Sequence, residues 1–216
     1  MDRRMFLLAA GVLAVGCGAP GPALAAQDGA LPPPATPGAK TLEEALQKRQ
    51  TRREFDAKPL PEAVLSGLLW AANGINRPAI GKHTAPTAMN RQEIEIYVAK
   101  ADGLFLYEPK EHALSRVKDA DLRAATGKQA FAATAPVDLV YVADMAKVAG
   151  SSPEEKLFYA GADTGFVSQN VYLYCAAMDL ATVVRANIDT RALAEAMGLP
   201  ATKRITLSQT VGYPKA

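Results

Sequence analysis

LQKRQTRREFD, residues 46–56, gathers Lys48, Arg49, Arg52 and Arg53 around the hydroxyl of Thr51. Just upstream, Thr41-Leu42-Glu43-Glu44 has the pattern of a capping box. Thr41 can accept from the amide of Glu44, while the Glu44 carboxylate reaches back to the amide of Thr41. A short helix is therefore expected to about Arg49, and the cations fall where the chain leaves it. Clustered guanidiniums beside a hydroxyl and free backbone donors make a competent phosphate site. Cations also settle at a helix C-terminus because the dipole favours them there. On this stretch alone the solvated helix end is the simpler reading.

Moving outward, Pro61 suits the first turn of a helix, and Val64, Leu65, Leu68, Leu69 and Ala72 form one apolar stripe that stops at Gly74. Asn73 to Thr84 (NGINRPAIGKHT) is rich in turn residues and reads as a loop. Ile94, Ile96 and Val98 alternate with Glu95, Tyr97 and Ala99, a half-buried strand, and Asp102-Gly103 turns it into a partner at Leu104 to Tyr107. Asp119 to Thr126 is expected to be a short helix. Val137 to Ala143 is nearly all apolar, as in a strand covered on both faces. Pro153 opens the longest helix: Ala160, Thr164, Val167, Val171, Tyr174 and Met178 keep helical spacing, with Leu157 one turn earlier. A strand at Ala181 to Arg185, a helix at Thr190 to Met197 ended by Gly198, and a strand at Ile205 to Val211 follow. Without regular βαβ alternation, the fold class is α+β: a mixed or antiparallel central sheet flanked by helices.

The chain begins MDRRMFLLAAGVLAVG, with Arg3 and Arg4 ahead of an apolar run from Met5 to Val15. That pattern is expected of an export signal of the twin-arginine type, over residues 1–25, cleaved after Ala23-Leu24-Ala25. The run is too short for a stable transmembrane helix. Cys17 offers a second route, lipid attachment after cleavage at Gly16. Ala14 stands where lipoprotein signals carry Leu, so simple cleavage is preferred. The expected location is periplasmic or otherwise exported. Residues 26–40, rich in Pro, Ala and Gly, read as a linker with nothing to bury. One domain, residues 41–216, remains. The formal charge of +2 falls to +1 without residues 1–25, so there is no basic field for nucleic acid. His83 and His112 lack cysteine partners at metal-ligand spacing, so no metal site is expected.

A second stretch changes the reading of the first. Pro86-Thr87-Ala88-Met89-Asn90 leads straight into the strand at Ile94, and small residues there let a flat ring approach the backbone. Arg49-Gln50-Thr51-Arg52-Arg53-Glu54-Phe55 is similar to the Arg-x-Ser-x-Arg-x-Phe opening of the FMN-dependent nitroreductase family. Pro86 to Asn90 is similar to its Pro-Ser-x-x-Asn turn. Tyr107-Glu108-Pro109-Lys110-Glu111-His112-Ala113-Leu114 resembles the Tyr-x-Pro-x-x-His-x-Leu of the branch that forms thiazoles and oxazoles in peptides. Gly127-Lys128-Gln129 and Gln169-Asn170 fall in family order, although Asp179-Leu180 stands where the family has Gly-Leu. The likeness runs through residues 41–214.

The resemblance implies FMN at the interface of an intertwined homodimer. Arg49, Gln50, Thr51 and Arg53 would hold the phosphate and ribityl chain. Pro86, Thr87, Ala88 and Asn90 would approach the same flavin from the other subunit. Gln129 would sit near the ring edge, and Val184, Arg185 and Ala186 against the ring. Lys215 is the basic candidate for the phosphate after the last strand. Flavin carries the redox chemistry, so no catalytic triad is needed. His83, in the 73–84 insertion, and Arg185 are candidate pocket residues; His112, Cys175, Trp70, Tyr172 and Tyr174 read as structural. The expected activity is electron transfer to or from a small organic substrate. A dehydrogenase of a peptide or small metabolite, or a flavin-binding dimer with little turnover, are the alternatives. Nicotinamide donors are not expected outside the inner membrane, which leaves the electron donor of an exported enzyme open.

Overall fold

The computed structural model describes residues 29–35, 38 and 40–215. The export signal, its cleavage site and Cys17 lie outside the described residues. Helix α1 spans Leu42–Lys48, and both halves of the capping box form, Thr41 N–H to Glu44 at 2.7 Å and Glu44 N–H to Thr41 Oγ1 at 3.2 Å. Helix α2 spans Glu62–Asn73; Pro61 is its N-cap and Gly74 its C-cap. Strands β1 (Ile75–Arg77) and β2 (Lys82–His83) follow. The stretch read as a loop is thus a small hairpin, turned by Pro78–Ile80 and by Gly81 at φ +60°. Its strands are too short to show any alternation.

Strands β3 (Ile94–Lys100), β4 (Gly103–Glu108) and β5 (Ala113–Lys118) form a meander. β5 was not legible because it is an edge strand, mostly exposed, so its residues ALSRVK carry no apolar face. The helix expected at Asp119 to Thr126 is only a 3₁₀ turn over Arg123–Thr126. The Asp121 carboxylate takes both the amide and the guanidinium of Arg123, a local bond that competes with helix. Strand β6 (Val137–Asp144), helix α3 (Pro153–Ala177), strand β7 (Ala181–Arg185), helix α4 (Thr190–Met197) and strand β8 (Lys203–Gly212) complete the chain.

The six long strands make one sheet in the order β5-β4-β3-β6-β8-β7, with every pairing antiparallel. Of the two sheet types left open by the sequence, antiparallel is the one formed. β6 lies at its centre. Leu139, Tyr141 and Ala143 pack with α2 and α3, while Val140 and Val142 pack with Leu193 and Met197 of α4. Burial on both faces explains its unbroken apolar run. α3 crosses the first face and buries Ala160, Thr164, Val167, Val171 and Tyr174, as its spacing predicts, whereas Leu157, one turn earlier, is exposed.

The expectation that the Pro/Ala stretch buries nothing is corrected over residues 29–35. Leu114 N–H donates to Gly29 at 2.7 Å, Leu31 N–H to His112 at 3.0 Å, and Ala35 N–H to Ala63 at 3.1 Å. Leu31 packs on the core, and Tyr174 Oη donates to the Ala35 carbonyl at 3.0 Å. The reason is complementary backbone: β5 is the edge strand of the sheet, whose outer side this segment pairs with, and Gly67 lacks the Cβ that would collide with the Ala35 oxygen.

Candidate functional site

After α1 the chain runs exposed across the ends of β7 and β8. Arg52 N–H donates to Thr182 at 3.0 Å, Asp56 N–H to Tyr213 at 2.9 Å, and Lys215 N–H to Glu54 at 3.3 Å. These bonds fix the backbone, so Arg49, Arg53 and Lys215 project from a held edge rather than a loose helix end. Tyr172, on α3, ties the two parts together. Val184 N–H donates to its hydroxyl at 3.1 Å, and the same hydroxyl is hydrogen-bonded to Thr51 Oγ1 at 3.0 Å. The Arg49 guanidinium lies 5.5 Å from the centre of the same ring, at cation–π distance. Gln50, with its amide turned to satisfy both groups, accepts from Arg52 at 3.0 Å. The sequence reading took Tyr172 for packing. Its signal was its place one step beyond Val171, outside the 4-3-4-3 apolar spacing of α3, although the structure buries it.

At the far end of β7, Lys128 N–H donates to the Asn187 carbonyl at 3.2 Å. This brings the Gly127–Gln129 segment against the end of β7, with Gln129 Oε1 and the Arg185 guanidinium both beside Gly127. Gln129 Oε1 is buried and accepts no hydrogen bond from any described residue. Arg185, expected as a pocket residue, turns its side chain inward instead. Its guanidinium meets Asp138 at 2.6 Å and both the carbonyl and hydroxyl of Thr126 at 3.1 Å, with the two charged side chains 2% and 0% exposed. A Cβ on Gly127 would lie 1.7 Å from Arg185 Nη1, so the guanidinium occupies side-chain space that glycine vacates. Burial raises the Asp138 carboxyl above its usual range and Arg185 pulls it back. The Arg185 side chain is therefore part of the buried interior.

The Pro86–Asn90 turn sits elsewhere on the protomer. Ala88 N–H donates to Asp163 at 2.9 Å, Asn90 N–H to Thr87 O at 3.0 Å, and Gln92 N–H to Thr87 Oγ1 at 2.9 Å. Met89, Asn90 and Gln92 hold φ of 51°, 54° and 50°, three left-handed non-glycine residues within four positions. Asp163 and Tyr172 are nine positions apart on α3, about 13 Å along a helix. Within one chain the contacts that hold the cationic edge and the turn are therefore about two and a half turns of α3 apart.

His83 lines a cleft of about 470 Å³ with Asn73, Gln92, Tyr107 and Lys147, away from the cationic edge. Its Nδ1 lies 3.0 Å from Asn73 Oδ1, and burial lowers its pKa. His112 is a structural link, 2.7 Å from Ser66 Oγ and 2.9 Å from Tyr107 Oη. Burial pushes the Cys175 thiol up, which leaves it inert. Trp70 is more exposed than a packing role implies. Asp179, where the family pattern has glycine, adopts φ 56°, and Lys40 holds it at 2.5 Å. An aspartate tolerates that left-handed backbone better than most residues do. Among the described residues no cluster of His, Cys, Asp or Glu could hold a metal ion, and no helix is long and apolar enough to cross a membrane.

Residues 46–213 match the model of the nitroreductase family. A protein of Methanocaldococcus jannaschii described as a candidate nitroreductase is 34% identical over 152 residues, covering 66% of this chain and 76% of that one. A crystal structure from Ralstonia eutropha JMP134, likewise described as a candidate nitroreductase, superposes with a TM-score of 0.82 at 40% identity, covering 87% of this chain and 90% of that one. The Escherichia coli microcin synthetase McbBCD complex with truncated pro-MccB17 bound shares the fold at a TM-score of 0.70 and 19% identity, over 78% of this chain and 70% of that one. The chain belongs to the nitroreductase family, in which FMN-dependent oxidoreductases are typical.

Proposed function

We propose that this protein is an exported, homodimeric, FMN-dependent oxidoreductase that moves electrons to or from a small organic substrate. The observation that carries the reading is the held cationic edge, with Thr51 and Val184 fixed by one tyrosine hydroxyl. Bound FMN would supply the redox chemistry. The residues fit it in two respects. Arg49, Arg53 and Lys215 with the Thr51 hydroxyl suit a dianionic phosphate, and the buried, unpartnered Gln129 Oε1 suits an N–H donor on a ring edge. Arg49, Gln50, Thr51 and Arg53 would hold the phosphate and ribityl chain. Val184, Arg185 and Ala186 would present backbone to the ring. Pro86, Thr87, Ala88 and Asn90 would arrive from the second subunit, as the likeness to the family implies.

The dimer has a surface to form on. On the solvent side of α3, Phe158 is 70% and Phe166 47% exposed, and the spaces above Gly161 and Gly165 are open. Aromatic knobs beside glycine hollows on one helix face suit a second copy of the same helix.

The test is to purify the protein, denature it and measure released flavin, then titrate the native protein anaerobically with NADH, NADPH and dithionite and reoxidise it with a nitroaromatic or a quinone. About one FMN per chain that bleaches and returns supports the reading. A colourless protein that takes up no added FMN sinks it. Bleaching by dithionite but not by nicotinamides supports an electron donor suited to an exported enzyme.

A further inference from the structure

Glu93 stands directly before β3, is 0% exposed, and neither of its carboxyl oxygens meets a conventional donor among the described residues. A buried carboxylate so placed would be costly. Its neighbour is the carboxyl of Asp163, on α3, itself 2% exposed and within hydrogen-bonding reach. Two carboxyls in contact are satisfied when they share one proton. Asp163 has a second task, since its Oδ2 accepts the Ala88 amide at 2.9 Å. That amide begins the turn in which Met89, Asn90 and Gln92 are all left-handed. Such backbone is strained and persists only where its surroundings hold it.

We propose that Glu93 carries a proton that it donates to Asp163, and that this pair is the clamp holding the 87–92 turn in the shape it presents to the flavin of the partner subunit. Glu93 and Asp163 are positioning residues here, acting through the Ala88 amide. The charged groups that act on Glu93 are Asp163, from α3, and Arg91, from the turn itself. Burial and the Asp163 carboxyl raise Glu93 to about 7, so the clamp is protonated below neutrality. The inference rests on the FMN reading for what the turn faces, but not for the clamp itself.

The test uses the full chain with Glu93→Gln, Glu93→Ala, Asp163→Asn and Asp163→Ala. Amide hydrogen exchange over residues 86–92 is read without flavin, and FMN affinity by fluorescence quenching, both from about pH 5.5 to about pH 8.5. A glutamine donates to Asp163 as a protonated glutamate does. Glu93→Gln should therefore keep the turn protected across the range, while the wild type loses protection and affinity as pH rises through about 7. Asp163→Asn keeps an acceptor for Ala88 and a donor for Glu93 and should resemble the wild type at low pH. The alanine variants should exchange faster and bind FMN about tenfold more weakly. The proposal is overturned if Glu93→Gln behaves like Glu93→Ala, or if wild type and Glu93→Gln track each other at every pH. If alanine variants fail to fold, the Gln and Asn pair still decides. A protein that binds no FMN yet shows this exchange pattern keeps the clamp and loses the flavin reading.

Discussion

Tyr172 Oη lies 3.0 Å from Thr51 Oγ1, and the same oxygen accepts the amide of Val184 at 3.1 Å. One phenol on α3 thereby fixes both the cationic edge and the start of the backbone proposed to meet the ring. Tyr172→Phe removes both bonds and leaves the ring for Arg49. Each bond is worth about 1 kcal/mol, so FMN should bind about tenfold more weakly. Quenching of FMN fluorescence measures it. Unchanged affinity would mean the edge is not held for flavin.

Arg185 and Asp138 make a buried pair 2.6 Å apart, and breaking such a pair by removing one partner costs about 3–5 kcal/mol. Arg185→Met should lose stability on that scale by urea unfolding. The sign with pH follows from the remaining carboxyl. Burial already holds Asp138 above its unfolded value, and loss of its cation raises it further. A folded pKa above the unfolded one gives stability that is present in acid and lost as pH rises through the folded value. Wild type and Arg185→Met should therefore lose stability in parallel up to about pH 7, and the gap between them should widen only above it, as pH rises toward the variant's higher folded value. Gly127→Ala should lose stability as well, because its Cβ would displace Arg185 Nη1.

A Cβ at Gly165 meets nothing within 4 Å in the protomer. Leucine in place of a mid-helix glycine should stabilise an isolated α3 by about 0.8 kcal/mol. In a dimer packed through this face it should do the opposite. Gly165→Leu is expected to dissociate the dimer by light scattering and to release flavin with it. A variant that is more heat-stable and unchanged in mass would remove this face from the interface.

The helices α1 to α4 and strands β3, β4, β6, β7 and β8 were legible because their apolar spacing, caps and glycine stops agree with one another. β5 and the 75–83 hairpin were not, since an exposed edge and a pair of very short strands carry no periodic signal. The candidate flavin residues were found from motif order, which says nothing of where a side chain turns. Arg185 shows the difference: its position in sequence suits a ring-facing segment, but only the fold reveals that Gly127 opens a buried seat for its guanidinium. Tyr172 was missed for the converse reason, an aromatic on a buried helix whose hydroxyl does the linking.

Export is tested by replacing Arg3 and Arg4 with Lys. The twin-arginine route carries folded cargo, so flavin-bearing protein should then accumulate in the cytoplasm. Fractionation followed by flavin assay reads the outcome, and unchanged export would separate the flavin reading from this route.

The central claim is that each flavin site is completed by two chains, the cationic edge from one and the turn from the other. Co-expression of two differently tagged, singly deficient chains tests it most directly. One carries Arg49→Ala and Arg53→Ala; the other carries Asn90→Gly, in which glycine accepts the left-handed backbone while the amide is lost. Each homodimer should be flavin-poor. If the site is shared, the purified heterodimer holds one site with both defects and one intact site, and about half of wild-type flavin returns. If edge and turn served a site within one chain, both sites of the heterodimer would be defective and no flavin would return.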